Sequence, residues 1–334
     1  MNESSAQPNN KENTANPRPV AMDELSEIEV NGTKQWILVR ANDRTKPVVL
    51  FVHGGPGYPL MWYSRGFDDA FLDDFVVVHW DQRRAGKSYS TDVSVESCTL
   101  DQIVEDGLEV TAQLKRKLNV KEVILTGHSW GTMVAANMAE RSPDDFTGLV
   151  MVGTCADWMK GETNRYNAYL ELAKRTDDAA SMEKLLKLGP PPHLTWEAVG
   201  RFGELHEQLQ GIGGTSRKLT MDQFTEAIQK NKEYTGDEIL QTLKGMEELM
   251  NEHGPFLNSY VLQDEVRELK IPVYFAQGEH DLNTPTDLAK EYFESLIAPR
   301  GKYWHQFDGC AHMNLYEDTE QFLAVLKTLS ASAE

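Results

Sequence analysis

The sequence predicts an α/β fold with a mostly parallel, doubly wound sheet of about eight strands. Short apolar runs of strand length alternate with helical runs along most of the chain. Runs such as VVLFV (48–52) are apolar at consecutive positions, which is typical of strands buried on both faces. One long segment, residues 155–264, breaks the alternation because it is helical and charged and has few β runs.

The individual elements follow from local signals. Asn31-Gly32 suits a type I′ turn and predicts a hairpin between residues 25 and 40. Six further strands are predicted at 48–52, 75–80, 123–127, 146–153, 271–278 and 303–307. One helix is predicted after a capping box of Thr99 and Gln102, and a second from Thr132 to a stop at Pro143. A third is predicted after a cap at Thr284 with Pro285 in the first turn, and a fourth over 319–330.

These elements divide the chain into three parts. Residues 1–24 are polar and rich in Asn and Pro, and they predict a disordered tail. Residues 25–154 and 265–334 carry the alternating pattern and form the predicted core. Residues 155–264 are punctuated by GPPPH (189–193) and GIGG (211–214), and we interpret them as a helical cap domain inserted between the two parts of the core.

Composition and charge narrow the classes of partner. The 334 residues carry a formal net charge of −19, which disfavours nucleic acid and anionic membranes; an acidic field suited to cationic substrates stays an alternative. No apolar run has the length of a signal peptide core or a membrane span, so a cytoplasmic location is expected. The three cysteines fit a reducing compartment, and no motif predicts a metal or cofactor. A small-molecule substrate is expected, and the oligomeric state stays open.

A serine lies between two glycines where a predicted strand runs directly into a predicted helix. The motif is GHSWG, residues 127–131, with Ser129 at its centre. A strand, a tight turn and a helix around Gly-x-Ser-x-Gly form a nucleophile elbow, which lifts the serine hydroxyl above the sheet edge. The N-terminus of the following helix favours a developing negative charge. The sequence therefore predicts Ser129 as a nucleophile.

A serine nucleophile needs a base and an acid that orients the base. In the strand-turn-helix arrangement the chain order is serine, acid, histidine. The segment GEHDLNTP after the strand at 271–278 offers Glu279 and Asp281, and we favour Asp281 because Glu279 lies closer to the strand end. The segment DGCAHMN after the last strand offers His312 as the base.

Acyl transfer also needs donors for the negative charge on the former carbonyl oxygen. One predicted donor is the backbone N–H of Trp130, directly after the nucleophile. The second is predicted in the HGGPG loop, residues 53–57, and we favour the Gly55 N–H. In the segment WDQRRAGKS (80–88), Asp81 and Arg83 are expected to pair with each other and fix the sheet edge.

In this order, HGGPG, WDQRRAGKS, GHSWG, GEHDLNTP and AHMN resemble the α/β-hydrolase superfamily, in its proline iminopeptidase-like (S33 peptidase-like) branch. The resemblance covers about residues 30–154 and 265–330. It implies an α/β-hydrolase fold, a triad of Ser129, Asp281 and His312, and oxyanion donors at Gly55 and Trp130.

The resemblance also indicates where the substrate class is decided. Arg84 and His128 stand where this branch usually has glycine. In true iminopeptidases, glutamates of two cap segments hold the free amine of the substrate. Here Glu197 and Glu204 are the candidates for this role, and Gly54 is a further candidate substrate contact. The second of the two acidic segments is not recognisable in this sequence. We therefore predict a serine hydrolase that cleaves a carboxylic ester or lactone. The alternatives are a proline iminopeptidase-type aminopeptidase and a non-catalytic ligand-binding scaffold.

Overall fold

The structure, a computed structural model, describes residues 20–193 and 215–332. Its centre is a sheet of eight strands in the order β1-β2-β4-β3-β5-β6-β7-β8. The strands are β1 Met22–Val30, β2 Thr33–Ala41, β3 Val48–Val52, β4 Val76–Asp81, β5 Val123–His128, β6 Phe146–Val152, β7 Val273–Gly278 and β8 Lys302–Phe307. β2 is antiparallel to both β1 and β4, and the other neighbouring pairs are parallel. The predicted mostly parallel, eight-stranded sheet is confirmed.

Helices cover both faces of this sheet. Those of ten residues or more in the described ranges are α1 Leu100–Leu118, α2 Trp130–Arg141, α3 Trp158–Arg175, α4 Ala179–Leu188, α5 Met221–Lys230, α6 Gly236–Leu257, α7 Thr286–Ser295 and α8 Thr319–Ala331. Four-residue helices lie at Ser64–Phe67, Leu262–Glu265 and Asn314–Glu317. Within these ranges, no helix combines the length and the apolar character needed to span a bilayer.

The apolar run of β3 shows why the sheet is covered on both sides. Val48, Leu50 and Val52 pack into the core that contains side chains of α1, α2 and α7. Val49 and Phe51 pack into the opposite core, which contains side chains of α8. Alternate side chains of a strand point to opposite faces, so a strand between two helical layers must be apolar at every position.

Three local predictions need correction. Met22 already pairs with Ala41 in the β1–β2 hairpin, so the predicted tail boundary at residue 24 is too late. Thr99 does cap α1 through Gln102 N, but the Gln102 amide donates to Asp106, and the reciprocal bond of a capping box is absent among the described contacts. Pro285, rather than Thr284, is the residue before α7.

The described part of the segment 155–264 lies between β6 and β7 and adds no strand to the sheet. Helix α6 reaches the HGGPG loop, because a Cβ placed on Gly57 would lie 3.0 Å from Leu249 Cδ1. Helix α3 reaches the loop after β7, because a Cβ on Gly161 would lie 3.3 Å from Pro285 Cδ. Both helices therefore pack against loops at the carboxyl edge of the sheet.

Candidate active site

The predicted site residues converge on this edge, because parallel strands place their carboxyl ends together. Ser129 directly follows β5, Asp281 follows β7 and His312 follows β8. The HGGPG loop follows β3. In open α/β sheets, ligands bind outside the carboxyl ends of the strands, so the location suits a functional site.

Ser129 has the strained backbone of a tight elbow. Its φ is 56° and its ψ is −123°, a combination that residues with a Cβ rarely adopt. The residue is partly exposed between buried neighbours, and its hydroxyl has no hydrogen-bond partner among the described residues. Its backbone N–H donates to Val152 O over 2.9 Å, which fixes the elbow to β6.

Both flanking glycines are required by close backbone contacts. A Cβ on Gly127 would lie 2.4 Å from Gly131 O, and a Cβ on Gly131 would lie 2.1 Å from Val52 O. Such distances are shorter than any tolerated contact, so a side chain at either position would force the turn apart. Helix α2 begins at Trp130, where backbone N–H groups have no acceptor within the helix.

The structure brings Asp281 and His312 into contact. His312 Nδ1 lies 2.9 Å from Asp281 Oδ2, and both side chains are buried, at 8% and 0% exposure. Glu279, the other candidate acid, accepts a hydrogen bond from Gly309 N over 2.8 Å and lies beside His280. Only Asp281 of the two is bonded to the histidine.

Two residues to which the sequence analysis gave no role in the site hold Asp281 in place. Thr284 donates its hydroxyl to Oδ2 over 2.7 Å and its backbone N–H to Oδ1 over 2.9 Å. Gln277 Nε2 donates to Oδ2 over 3.1 Å, and its Oε1 accepts from Thr154 N over 3.0 Å. A threonine before Pro285 is typical of a helix cap, so the sequence does mark Thr284. No sequence pattern marks Gln277.

The loop that carries His312 is held on both sides of the histidine. Glu317 Oε1 accepts from Ala311 N over 2.8 Å. His128 Nε2 lies 3.1 Å from His312 O, so the ring donates from Nε2 to that carbonyl. Burial lowers the pKa of His128 to about 3, and the neutral ring packs inside the elbow as a support for His312.

The HGGPG loop, which carries one of the two predicted oxyanion donors, passes close to Ser129. A Cβ on Gly54 would lie 3.0 Å from Ser129 Cβ, so the loop backbone runs directly past the serine. Gly54 O accepts from Tyr58 N over 3.1 Å. Gly54 therefore lies beside Ser129, and Trp130, the other predicted donor residue, lies in the first turn of α2.

The predicted Asp81–Arg83 pair is wrong. Arg83 forms a bidentate ion pair with Asp106 on α1, at 2.8 Å for both contacts. Asp81 accepts from Lys87 N over 2.7 Å and from the Tyr234 hydroxyl. The two side chains do not pair because Arg83 binds a carboxylate of helix α1, whereas Asp81 accepts hydrogen bonds from Lys87 and Tyr234. Burial raises the pKa of Asp81 to about 7.

Arg84, which stands at a usual glycine position, has a φ of 58°. A positive φ explains why glycine suits this position. The Arg84 guanidinium binds the Ser90 carbonyl over 2.9 Å and forms an ion pair with Glu248 on α6. The substitution thus adds a contact between the core and the inserted segment.

The cap candidates Glu197 and Glu204 lie outside the described residues. Within the described ranges, no three His, Cys, Asp or Glu side chains are grouped as ligands for a metal ion. The same ranges contain Cys98, Cys155 and Cys310, all buried and free.

Known proteins of similar sequence and fold indicate the family of this chain. A probable aminopeptidase, YbaC, of Bacillus subtilis (strain 168) is 28% identical, over 90% of this chain and 94% of its own. The proline iminopeptidase of Lactobacillus helveticus is 25% identical, over 84% of this chain and 89% of its own. The solved structure of the Mycobacterium smegmatis proline iminopeptidase superposes with a TM-score of 0.65 at 20% identity, covering 93% of this chain and 99% of that one.

The model of the alpha/beta hydrolase fold family matches residues 47–319, which is most of the chain. That range includes every strand from β3 to β8 and all the loops described above. The chain therefore belongs to the α/β-hydrolase family, as a proline iminopeptidase-like member.

Proposed function

We propose that the protein is a serine hydrolase in which Ser129, Asp281 and His312 act as a catalytic triad. The observation that carries the proposal is the buried His312–Asp281 contact of 2.9 Å beside the strained serine elbow. A histidine whose Nδ1–H is held by a carboxylate presents its other nitrogen, Nε2, as a base. The surrounding hydrogen bonds of Thr284 and Gln277 fix the carboxylate and therefore the ring.

The proposed reaction has two halves. His312 Nε2 takes the proton of the Ser129 hydroxyl as its oxygen attacks the substrate carbonyl carbon. The Gly55 and Trp130 N–H groups donate hydrogen bonds to the carbonyl oxygen, on which the negative charge develops. The histidine gives its proton to the leaving group, and an acyl-enzyme forms. A water molecule, deprotonated by the same histidine, then releases the acid. Asp281 stabilises the histidine cation in both halves.

For the substrate we propose a small carboxylic ester or lactone. This choice rests on the sequence, in which the second acidic segment of true iminopeptidases is not recognisable. A neutral ester needs no carboxylate in the site, because it carries no cation to be neutralised. The second candidate is an aminopeptidase, which the names of the relatives in Bacillus subtilis and Lactobacillus helveticus favour.

Active-site labelling tests the mechanism shared by both candidates. A fluorophosphonate should modify Ser129 alone, identified by peptide mass spectrometry. Ser129→Ala should abolish labelling and lower kcat by at least about three orders of magnitude, while its circular dichroism and Tm stay those of the wild type. Wild-type protein that is not labelled, or a variant with more than a tenth of the activity, would favour a ligand-binding scaffold or another nucleophile.

A further inference from the structure

The carbonyl of Gly54 is held by two hydrogen bonds, and its orientation determines where the Gly55 N–H points. Tyr58 N donates to Gly54 O over 3.1 Å, and His53 Nδ1 lies 2.9 Å from the same oxygen. Because a trans peptide is planar, the Gly55 N–H points away from the Gly54 oxygen. The two hydrogen bonds to Gly54 O thus orient the Gly55 N–H, which takes part in neither of them.

Gln82 determines which nitrogen of His53 carries the proton. Its backbone N–H donates to His53 Nε2 over 3.1 Å, so Nε2 is the acceptor nitrogen. The proton of the neutral ring is then on Nδ1, which donates to Gly54 O. Burial lowers the pKa of His53 to about 4, and the ring therefore stays neutral near pH 7.

The side chain of Gln82 also contacts both predicted donor segments. Its Nε2 donates to His53 O over 2.9 Å, at the start of the HGGPG loop. Its Oε1 accepts from Trp130 Nε1 over 3.2 Å. Gln82 is 2% exposed, so both bonds lie away from water. One buried amide therefore links the loop that carries Gly55 to the residue after the predicted nucleophile.

We propose that Gln82 is a positioning residue for the oxyanion hole. Its side chain holds the Gly55 and Trp130 N–H groups at a fixed separation. The inference rests on the proposed function above. Gln82 touches no reacting atom; it acts through His53 and Trp130. The separation matters because donors stabilise the transition state only when aimed at the developing oxyanion, and a displacement of about 1 Å can cost about 100-fold in rate.

The chain offers a matched control for this role. Gln35 is also a buried glutamine, at 0% exposure, and its Oε1 accepts from an indole, Trp80 Nε1, over 2.7 Å. Its Nε2 donates to Asp106 over 2.7 Å, and neither Trp80 nor Asp106 is one of the predicted site residues. Gln35→Met and Gln82→Met therefore each remove a buried side-chain amide that accepts a hydrogen bond from an indole. Of the two, only Gln82 contacts the segments that carry the predicted oxyanion donors.

The experiment compares these variants on p-nitrophenyl butyrate and with phenylboronic acid, which forms a tetrahedral adduct on an active serine. In Gln82→Met we expect kcat to fall by about 10- to 100-fold, KM to change by less than about threefold, and boronate affinity to fall with kcat. Gln35→Met should lower Tm while kcat and boronate affinity stay within about threefold of the wild type.

Trp130→Phe keeps the backbone N–H and removes only the indole donor, so it tests the same link if Gln82→Met does not fold. It should lower kcat and boronate affinity in the same direction, and the double variant should lose less than the product of the two single losses. Equal kinetic effects at Gln82 and Gln35, or an unchanged boronate affinity in both Gln82→Met and Trp130→Phe, would overturn the inference.

Fluorophosphonate labelling of the wild type distinguishes a wrong positioning role for Gln82 from a wrong proposed function. If Ser129 is labelled and the variants behave as the Gln35 control does, Gln82 has only a structural role and the hydrolase mechanism stands. If Ser129 of the wild type is not labelled, the proposed function is wrong and the positioning role falls with it.

Discussion

Asp281 Oδ2 lies 2.9 Å from His312 Nδ1, whereas Glu279, two residues earlier, turns its carboxylate to Gly309 N. The segment GEHD thus presents two carboxylates in different directions. The chain leaves β7 after Gly278, and Asp281 N donates to Gly278 O over 3.2 Å in a tight turn. This turn carries the second carboxylate back over the sheet edge.

The first prediction concerns these two carboxylates. Asp281→Asn should lower kcat by at least about 1000-fold, because an amide no longer fixes the histidine tautomer or stabilises its cation. Glu279→Gln, the matched control, should retain kcat within about threefold. The measurement is steady-state ester hydrolysis at pH 8 with Tm recorded for both variants. A larger loss for Glu279→Gln would assign the acid to Glu279.

The element order and the sheet could be predicted because they depend on local patterns. The strand before GHSWG, the Asn31-Gly32 turn and the run VVLFV each carry their signal within a few residues. Pairings between distant segments could not be predicted. Arg83 pairs with Asp106 rather than Asp81, and that choice depends on the packing of α1 against the sheet.

The candidate site divides in the same way. Its motif positions could be read from the sequence, but the residues that hold those side chains could not. Thr284 has the signal of a helix cap, yet its hydroxyl donates to Asp281. Gln277 lies outside the motifs, and Gln82 lies in WDQRRAGKS, which gave no role for its side chain. The roles of both amides depend on strands that meet only in the folded sheet.

The second prediction concerns the pH dependence of hydrolysis. A histidine must be neutral to act as the base, so kcat/KM should fall as the pH is lowered from 8.5 to 5. Burial lowers the pKa of His53 to about 4 and that of His128 to about 3, so neither titrates in this window.

Asp81 is the group that could be confused with the base, because burial raises its pKa to about 7. The Asp81→Asn variant is therefore the control, and its acid limb should coincide with that of the wild type. Stopped-flow or steady-state kcat/KM from pH 5 to 8.5 supplies both profiles. A limb that disappears in Asp81→Asn would assign the dependence to Asp81, and a flat wild-type profile would contradict histidine base catalysis.

The third prediction uses the same variant to measure stability. The folded-state pKa of Asp81 is raised from 3.8 to about 7, so the folded protein binds this proton more tightly than the unfolded chain does. The stabilisation is complete below pH 3.8 and is lost as the pH rises through about 7. The free energy of unfolding of the wild type, minus that of Asp81→Asn, should therefore decrease between pH 5 and 7, by at most about 1.4 kcal/mol per pH unit.

Urea denaturation at pH 5, 6, 7 and 8 measures this difference. His53 and His128 are present in both proteins, so their opposing effect, a loss of stability in acid, cancels in the comparison. The Tyr234 hydroxyl, which donates to Asp81, can donate equally to the carbonyl of the asparagine. Parallel pH curves for the two proteins would mean that Asp81 is ionised throughout this range.

The last prediction decides between the two substrate classes. A free amino terminus is cationic at neutral pH, and its binding in a covered site needs at least one carboxylate, because an unpaired buried charge is very costly. Glu197 and Glu204 are the candidates by resemblance. A neutral ester makes no such demand. We expect kcat/KM for a neutral p-nitrophenyl ester to exceed that for proline p-nitroanilide.

The same reasoning predicts the effect of removing the carboxylates. Glu197→Gln and Glu204→Gln should each change ester turnover by less than about tenfold, or 1.4 kcal/mol, because the ester carries no charge for them to bind. Glu226→Gln on α5 is the control, because Glu226 is exposed and forms no ion pair with the described residues. A clear preference for proline p-nitroanilide that either cap substitution abolishes, and the control leaves intact, would establish aminopeptidase activity in place of ester hydrolysis.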